Sequence, residues 1–148
     1  MEILGDEKLL PLPASAKIAA FAVVTGDNLS SQTEFFRYLA QAFTGDIDFG
    51  YFDKDITAHD IDAIKSGILQ SEYIVFIILS DRKDFVLDAD IPKIMKEFKD
   101  DKTCIIVTNL ELDDSVLAVA DLTLRLSDSG ETSIVSAIVK LSGKTMSR

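Results

Sequence analysis

The sequence predicts an α/β domain: a flavodoxin-like, doubly wound, mostly parallel five-stranded sheet in the order 2-1-3-4-5, with helices on both faces. Three observations carry that expectation. Apolar runs alternate with helical-period segments five times along the chain, as repeated βα units require. Three of the runs are continuously apolar, the mark of parallel strands buried on both faces, and the other two alternate, the mark of outer strands.

Residues 17–24 form the first strand, and a helix over 31–43 follows, with Phe35, Leu39, Ala42 and Phe43 on one face and Gly45 just beyond its end. The second strand, with Ile47, Phe49 and Tyr51 alternating with Asp48 and Gly50, reads as an edge. Thr57 with Asp60 three residues on forms an Asp version of the capping box, and Ile61, Ile64 and Ile68 make the inner stripe of the helix it starts. Residues 73–79 are the clearest buried strand. Asp90 caps a third helix, where Pro92 is tolerated in the first turn and Ile91, Ile94, Met95 and Phe98 face inward. Residues 103–107 form the fourth strand, 115–120 leave room for a short helical turn, and the alternation over 122–126 predicts a second edge strand. A last helix over 131–142 points Ile134, Ile138 and Leu141 inward and ends at Gly143. Residues 1–16 read as an extended linker arm ahead of a single domain over 17–148, because Pro11 and Pro13 favour an extended path.

Bulk properties bound the function. The 148 residues, 47% hydrophobic and 27% charged with seven Gly, fit one globular domain. A net charge of −10 argues against a phosphate backbone as partner, since nucleic-acid affinity comes largely from Lys and Arg. The apolar runs 18–24 and 73–79 are too short for a membrane span. Met1-Glu2 opens an acidic stretch without a basic or apolar leader, so no signal peptide is expected.

Ligands of open α/β sheets bind beyond the carboxyl ends of the strands. That rule makes Asp27, Asn28, Asp81 and Asn109 the candidate ligand-binding residues. The Gly-rich turn of a dinucleotide site and the Lys of a phosphate loop are both missing. Thr25-Gly26-Asp27-Asn28 faintly resembles a flavodoxin phosphate loop, but Asp27 would repel the phosphate. A phosphoacceptor receiver would need an acidic pair closing the first strand and a Lys where Ser127 stands. His59, the single histidine, has no nucleophile motif to serve, and Cys104 lies in an apolar run where a structural thiol belongs. One His and one Cys are too few for a zinc site, so no metal or other cofactor is expected. The carboxylate pairs Asp53/Asp55, Asp88/Asp90, Asp100/Asp101 and Asp113/Asp114 sit at helix starts and turns, where capping and solvation account for them. No catalytic residue is assigned.

Leu9-Leu10-Pro11-Leu12-Pro13 followed by Lys17-Ile18-Ala19 looks like the passage from the catalytic barrel into the second α/β domain of family-3 glycoside hydrolases, and further segments resemble that domain in order. Ser71-Glu72-Tyr73-Ile74-Val75 is similar to the opening of a central strand, and Ile105-Ile106-Val107-Thr108-Asn109 resembles the strand ending in Asn-Pro, with Leu110 in place of the Pro. Val119-Ala120-Asp121 resembles the Ala-Asp before the last strand, and residues 136–144 resemble the closing helix and its Gly-Lys ending. The resemblance implies a bacterial parent of the β-N-acetylglucosaminidase or β-glucosidase type, periplasmic or extracellular. Its nucleophilic Asp would sit in a barrel outside this chain. It also implies that the chain is a non-catalytic accessory domain, with the barrel as partner and carbohydrate as a further candidate. A stand-alone flavodoxin-like or receiver-like ligand-binding or interaction domain is the alternative.

Overall fold

The structure, a computed structural model, describes residues 1–26 and 29–145. Six strands form one mixed sheet: β1 (Glu2–Gly5), β2 (Ile18–Val23), β3 (Ile47–Phe52), β4 (Tyr73–Ile78), β5 (Thr103–Thr108) and β6 (Leu122–Arg125). Their order is β1-β6-β5-β4-β2-β3, parallel throughout except that β1 runs antiparallel to β6. The expected five-stranded sheet of order 2-1-3-4-5 is therefore corrected to a six-stranded mixed sheet. The extra strand comes from the supposed linker arm, and it turns β6, expected at an edge, into an interior strand. Its four residues, two of them apolar, are too few to show a period of two.

Every residue of β2 is buried, as are all but the first of β4 and β5, because helices cover both faces of the sheet. On one face, α1 (Leu29–Ala42) and α5 (Glu131–Ser142) pack side by side over Ala20, Val75, Ile77, Ile105 and Leu124. The Tyr38 hydroxyl of α1 donates to the Glu131 carboxylate of α5, which raises the phenol above its ordinary pKa. On the other face, α2 (Ala58–Gly67), α3 (Ile91–Lys99) and the single turn α4 (Asp114–Leu117) cover Phe21, Phe76, Cys104 and Ile106.

Local chemistry sets the helix ends. The Thr57 hydroxyl accepts from the Asp60 N–H at 3.1 Å, which starts α2. Asp90 stands at the head of α3 but makes no side-chain cap; instead the Asp88 carboxylate accepts from its N–H at 2.9 Å. Gly143 closes α5 in the left-handed region with φ 71°, as a C-terminal glycine should. The inner stripe expected of α2 is lightly covered: Ile61 and Ile64 are only partly buried, and Ile68 just past the helix is the buried member.

The first 16 residues are packed along much of their length. The Asp6 N–H donates to the Asp121 C=O at 2.9 Å, and the Leu12 N–H donates to the Leu141 C=O at 2.8 Å, with Leu12 and Ala16 buried. Gly5 has φ 99°, and a Cβ there would stand 2.4 Å from the Asp121 carbonyl oxygen, so the close approach of β1 to β6 requires a glycine. Among the described residues, no helix is long and apolar enough to cross a membrane.

Candidate functional site

The direction in which the sheet is wound changes between β2 and β4, where the chain steps out to β3 on one side and to β5 and β6 on the other. In open α/β sheets ligands bind at such a switch point, beyond the carboxyl ends of the strands, which here carry Thr25-Gly26 and Ser80-Asp81. The buried Thr25 hydroxyl joins the two strand ends, donating to the Leu79 C=O at 2.9 Å, and on the β2 side the buried Gln32 amide donates to the Val23 C=O at 2.9 Å. The other amide atom of Gln32, Oε1, is buried without a hydrogen-bond partner among the described residues.

Between β4 and β5, Asn109 extends the ladder past its end. Its Oδ1 accepts from the Ser80 N–H at 3.0 Å, its Nδ2 donates to the Ser80 C=O at 2.6 Å, and the residue is only 4% exposed. Both ends of its amide are thus consumed in holding the neighbouring loop. Thr108 does similar work, donating to the Ile78 C=O at 2.7 Å and accepting from the Leu110 N–H at 3.1 Å. Lys83 ties a third loop to these two, donating to the Asn109 C=O at 3.0 Å and to the Ser127 C=O at 2.7 Å. Buried or half-buried polar groups satisfied this way stiffen a loop and leave little to offer a ligand.

The candidate residues meet different fates. Asp27 and Asn28 lie outside the described residues. Asp81 is exposed, and its carboxylate accepts from the Ser129 hydroxyl at 3.0 Å. It sits next in sequence to the Ser80 that Asn109 clamps, so those two candidates flank one loop from opposite sides, one solvated and one buried. Sequence reasoning missed Lys83 and Gln32; a cation just after the central strand was the one visible signal for the first, and the second had none.

A hollow of about 660 Å³ opens beside this cluster, bounded by Lys83, Asn109, Glu111, Arg125 and Ser127 together with Glu2 of β1. Its charges are balanced, because Arg125 pairs with Glu2 and lies 3.9 Å from Glu111. The hollow is open, with polar and apolar groups lining it in similar measure.

Burial pushes the Cys104 thiol up to about 12, far from the thiolate a nucleophile needs. His59 is exposed in the first turn of α2. Asp53 and Asp128 fold turns, accepting from the Asp55 and Gly130 N–H groups at 2.9 Å each. The Ser133 hydroxyl and the Gly130 N–H hold the Asp128 carboxyl below its ordinary pKa. Among the described residues, no group of three or more His, Cys, Asp or Glu side chains is placed to hold a metal ion.

Comparison with solved structures places this fold. A β-glucosidase from Listeria innocua in complex with isofagomine matches with TM-score 0.72 and 18% identity over 95% of this chain and 23% of its own. A β-glucoside phosphorylase matches with TM-score 0.63 and 16% identity over 97% of this chain and 27% of its own. A family-3 exo-β-xylosidase in complex with a xylobiose aziridine probe gives TM-score 0.63 and 12% identity over 95% of this chain and 22% of its own. The chain therefore has the fold of one region of these enzymes and spans about a quarter of their length. No family model and no curated protein matches the sequence.

Proposed function

We propose that this chain is a non-catalytic accessory α/β domain of a bacterial family-3 glycoside hydrolase, packing on the catalytic barrel and helping to shape its substrate cleft. One observation carries the reading: nearly all of the chain superposes on less than a third of each of several glycosidase-type enzymes. The ordered sequence resemblance from Leu9 to Lys144 supports it. In this proposal residues 1–16 are the arm arriving from the barrel and 17–148 the accessory domain. The parent acts on a β-linked glucoside or N-acetylglucosaminide. Asp81 is the strand-end residue exposed enough to meet a sugar, whereas Asn109 holds the loop that carries it.

Two measurements test this reading. The coding region adjoining residue 1 should specify a barrel, which typically takes about 250 residues; its absence from that frame and from neighbouring frames would sink the proposal. The purified chain should show no turnover of aryl β-glucosides or aryl N-acetylglucosaminides, and activity surviving in an Asp81→Ala variant would show chemistry unrelated to the strand ends.

The hollow beside Lys83 favours a second reading, a self-contained ligand-binding domain. Titration with glucose, flavin mononucleotide, or acetyl phosphate with magnesium tests it. Chemical-shift changes at Lys83 and Arg125 support this second reading, and an unchanged spectrum rejects it.

A further inference from the structure

The sheet ends in β1 on one side and in β3 on the other, and among the described residues nothing pairs with the outer side of either; β3 is the longer, six residues against four. The register shows which peptide groups are left open there. The Ile18 N–H donates to the Asp46 C=O at 3.1 Å and the Val24 N–H to the Phe52 C=O at 2.9 Å, so even-numbered residues of β3 turn their peptide groups to β2. Ile47, Phe49 and Tyr51 consequently turn N–H and C=O outward.

Two of those residues also expose large side chains. Phe49 is 44% and Tyr51 43% exposed, on one face of the strand, and both rest on Phe36 of α1 with ring centroids 4.9 and 5.4 Å away. Free backbone groups and uncovered aromatic rings thus coincide, without the Lys, Pro or bulge that commonly blunts an edge. The surroundings are acidic: Asp46, Asp48, Asp53 and Asp55 are all exposed. Lys54 and Arg37, the cations of the flanking segments, are held by Asp88 and Glu34.

We propose that the outer edge of β3 is a docking site for an extended segment of another protein, in which apolar or aromatic residues alternate with Lys or Arg. The segment adds as a further strand: its backbone pairs with Phe49 and Tyr51, its apolar side chains extend the platform on Phe36, and its cations meet the aspartates. Charge decides against a second copy as occupant, because self-pairing lays two acidic rows together on chains that each carry −10.

The test uses the whole 148-residue chain, isotopically labelled, and the peptide acetyl-Lys-Phe-Lys-Val-Lys-Phe-Lys-amide. Titration should shift the amides of Phe49 and Tyr51 and slow their hydrogen exchange. The same peptide with Glu for Lys, and a version N-methylated at alternate residues, should each bind at least about tenfold more weakly. Phe49→Lys should weaken binding to a similar extent. No change at Phe49 and Tyr51, or equal binding of the N-methylated peptide, overturns strand addition without depending on how any variant folds. A dimer in sedimentation that Phe49→Lys dissociates overturns it in favour of a second copy.

Discussion

Along β6 the partner strand is supplied from within, Glu2 opposite Arg125 through Gly5 opposite Leu122, with Gly5 drawn against Asp121. Along β3 the corresponding positions face solvent, and the aromatic pair Phe49 and Tyr51 lies half uncovered. Both β3 and β6 alternate in the sequence, so local pattern does not separate them. The separation comes from the arm: Leu12, buried and bonded to Leu141 of α5, returns the first residues to one side of the sheet only. The arm thus gives β6 a partner and leaves β1, not β6, as the outermost strand on that side.

With Cys104 raised from 9.0 to about 12 by burial, the folded state keeps its proton while the unfolded chain loses it. Stability from this group is therefore complete below about pH 9 and is lost as pH rises through 12, a change of a few kcal/mol at ~1.4 kcal/mol per unit. Urea unfolding from pH 8 upward should show the decline, and Cys104→Ala should flatten it; an unreacted thiol toward a disulfide reagent at pH 8 is the companion result.

On the β6 side, Leu12→Ala should cost about 2–4 kcal/mol in urea unfolding, since it hollows the anchor of the arm. An effect below about 1 kcal/mol would mean that the arm is not what closes that side. Gly5→Val should cost about 2 kcal/mol, through the left-handed φ and the contact with the Asp121 carbonyl, and should speed exchange of the β1 amides selectively. At the β3 edge Phe49→Thr should cost less than about 1 kcal/mol, because the ring is already partly solvated and Thr suits a strand. A loss as large as that of Leu12→Ala would show β3 to be as dependent on its edge side chains as the β6 side is on the arm.

How much of this was legible in the residues differs element by element. Ile74 to Ile78 and Ile105 to Val107 declare buried strands because a strand covered on both faces must be apolar at every position. The end of α5 at Gly143 was legible for the same local reason: only a residue free to adopt φ 71° stops the helix there. β1 was not, since Glu2, Ile3, Leu4 and Gly5 become a strand only when β6 is present to pair with them. At the strand ends, Asp81 and Asn109 could be named as polar residues in the right place. That Asn109 spends both ends of its amide on Ser80, and that Lys83 binds two carbonyls from separate loops, depends on contacts 26 to 44 residues apart in the chain.

The sequence by itself determined the α/β class, the central strands and the helix faces, because these follow from apolar periodicity, and periodicity acts between near neighbours. Tertiary structure alone decided that the arm becomes a sixth strand, that β6 moves inside the sheet, and that the polar residues at the strand ends satisfy one another. Each of those outcomes depends on which distant backbone group lies within hydrogen-bond reach, and no local pattern encodes that distance.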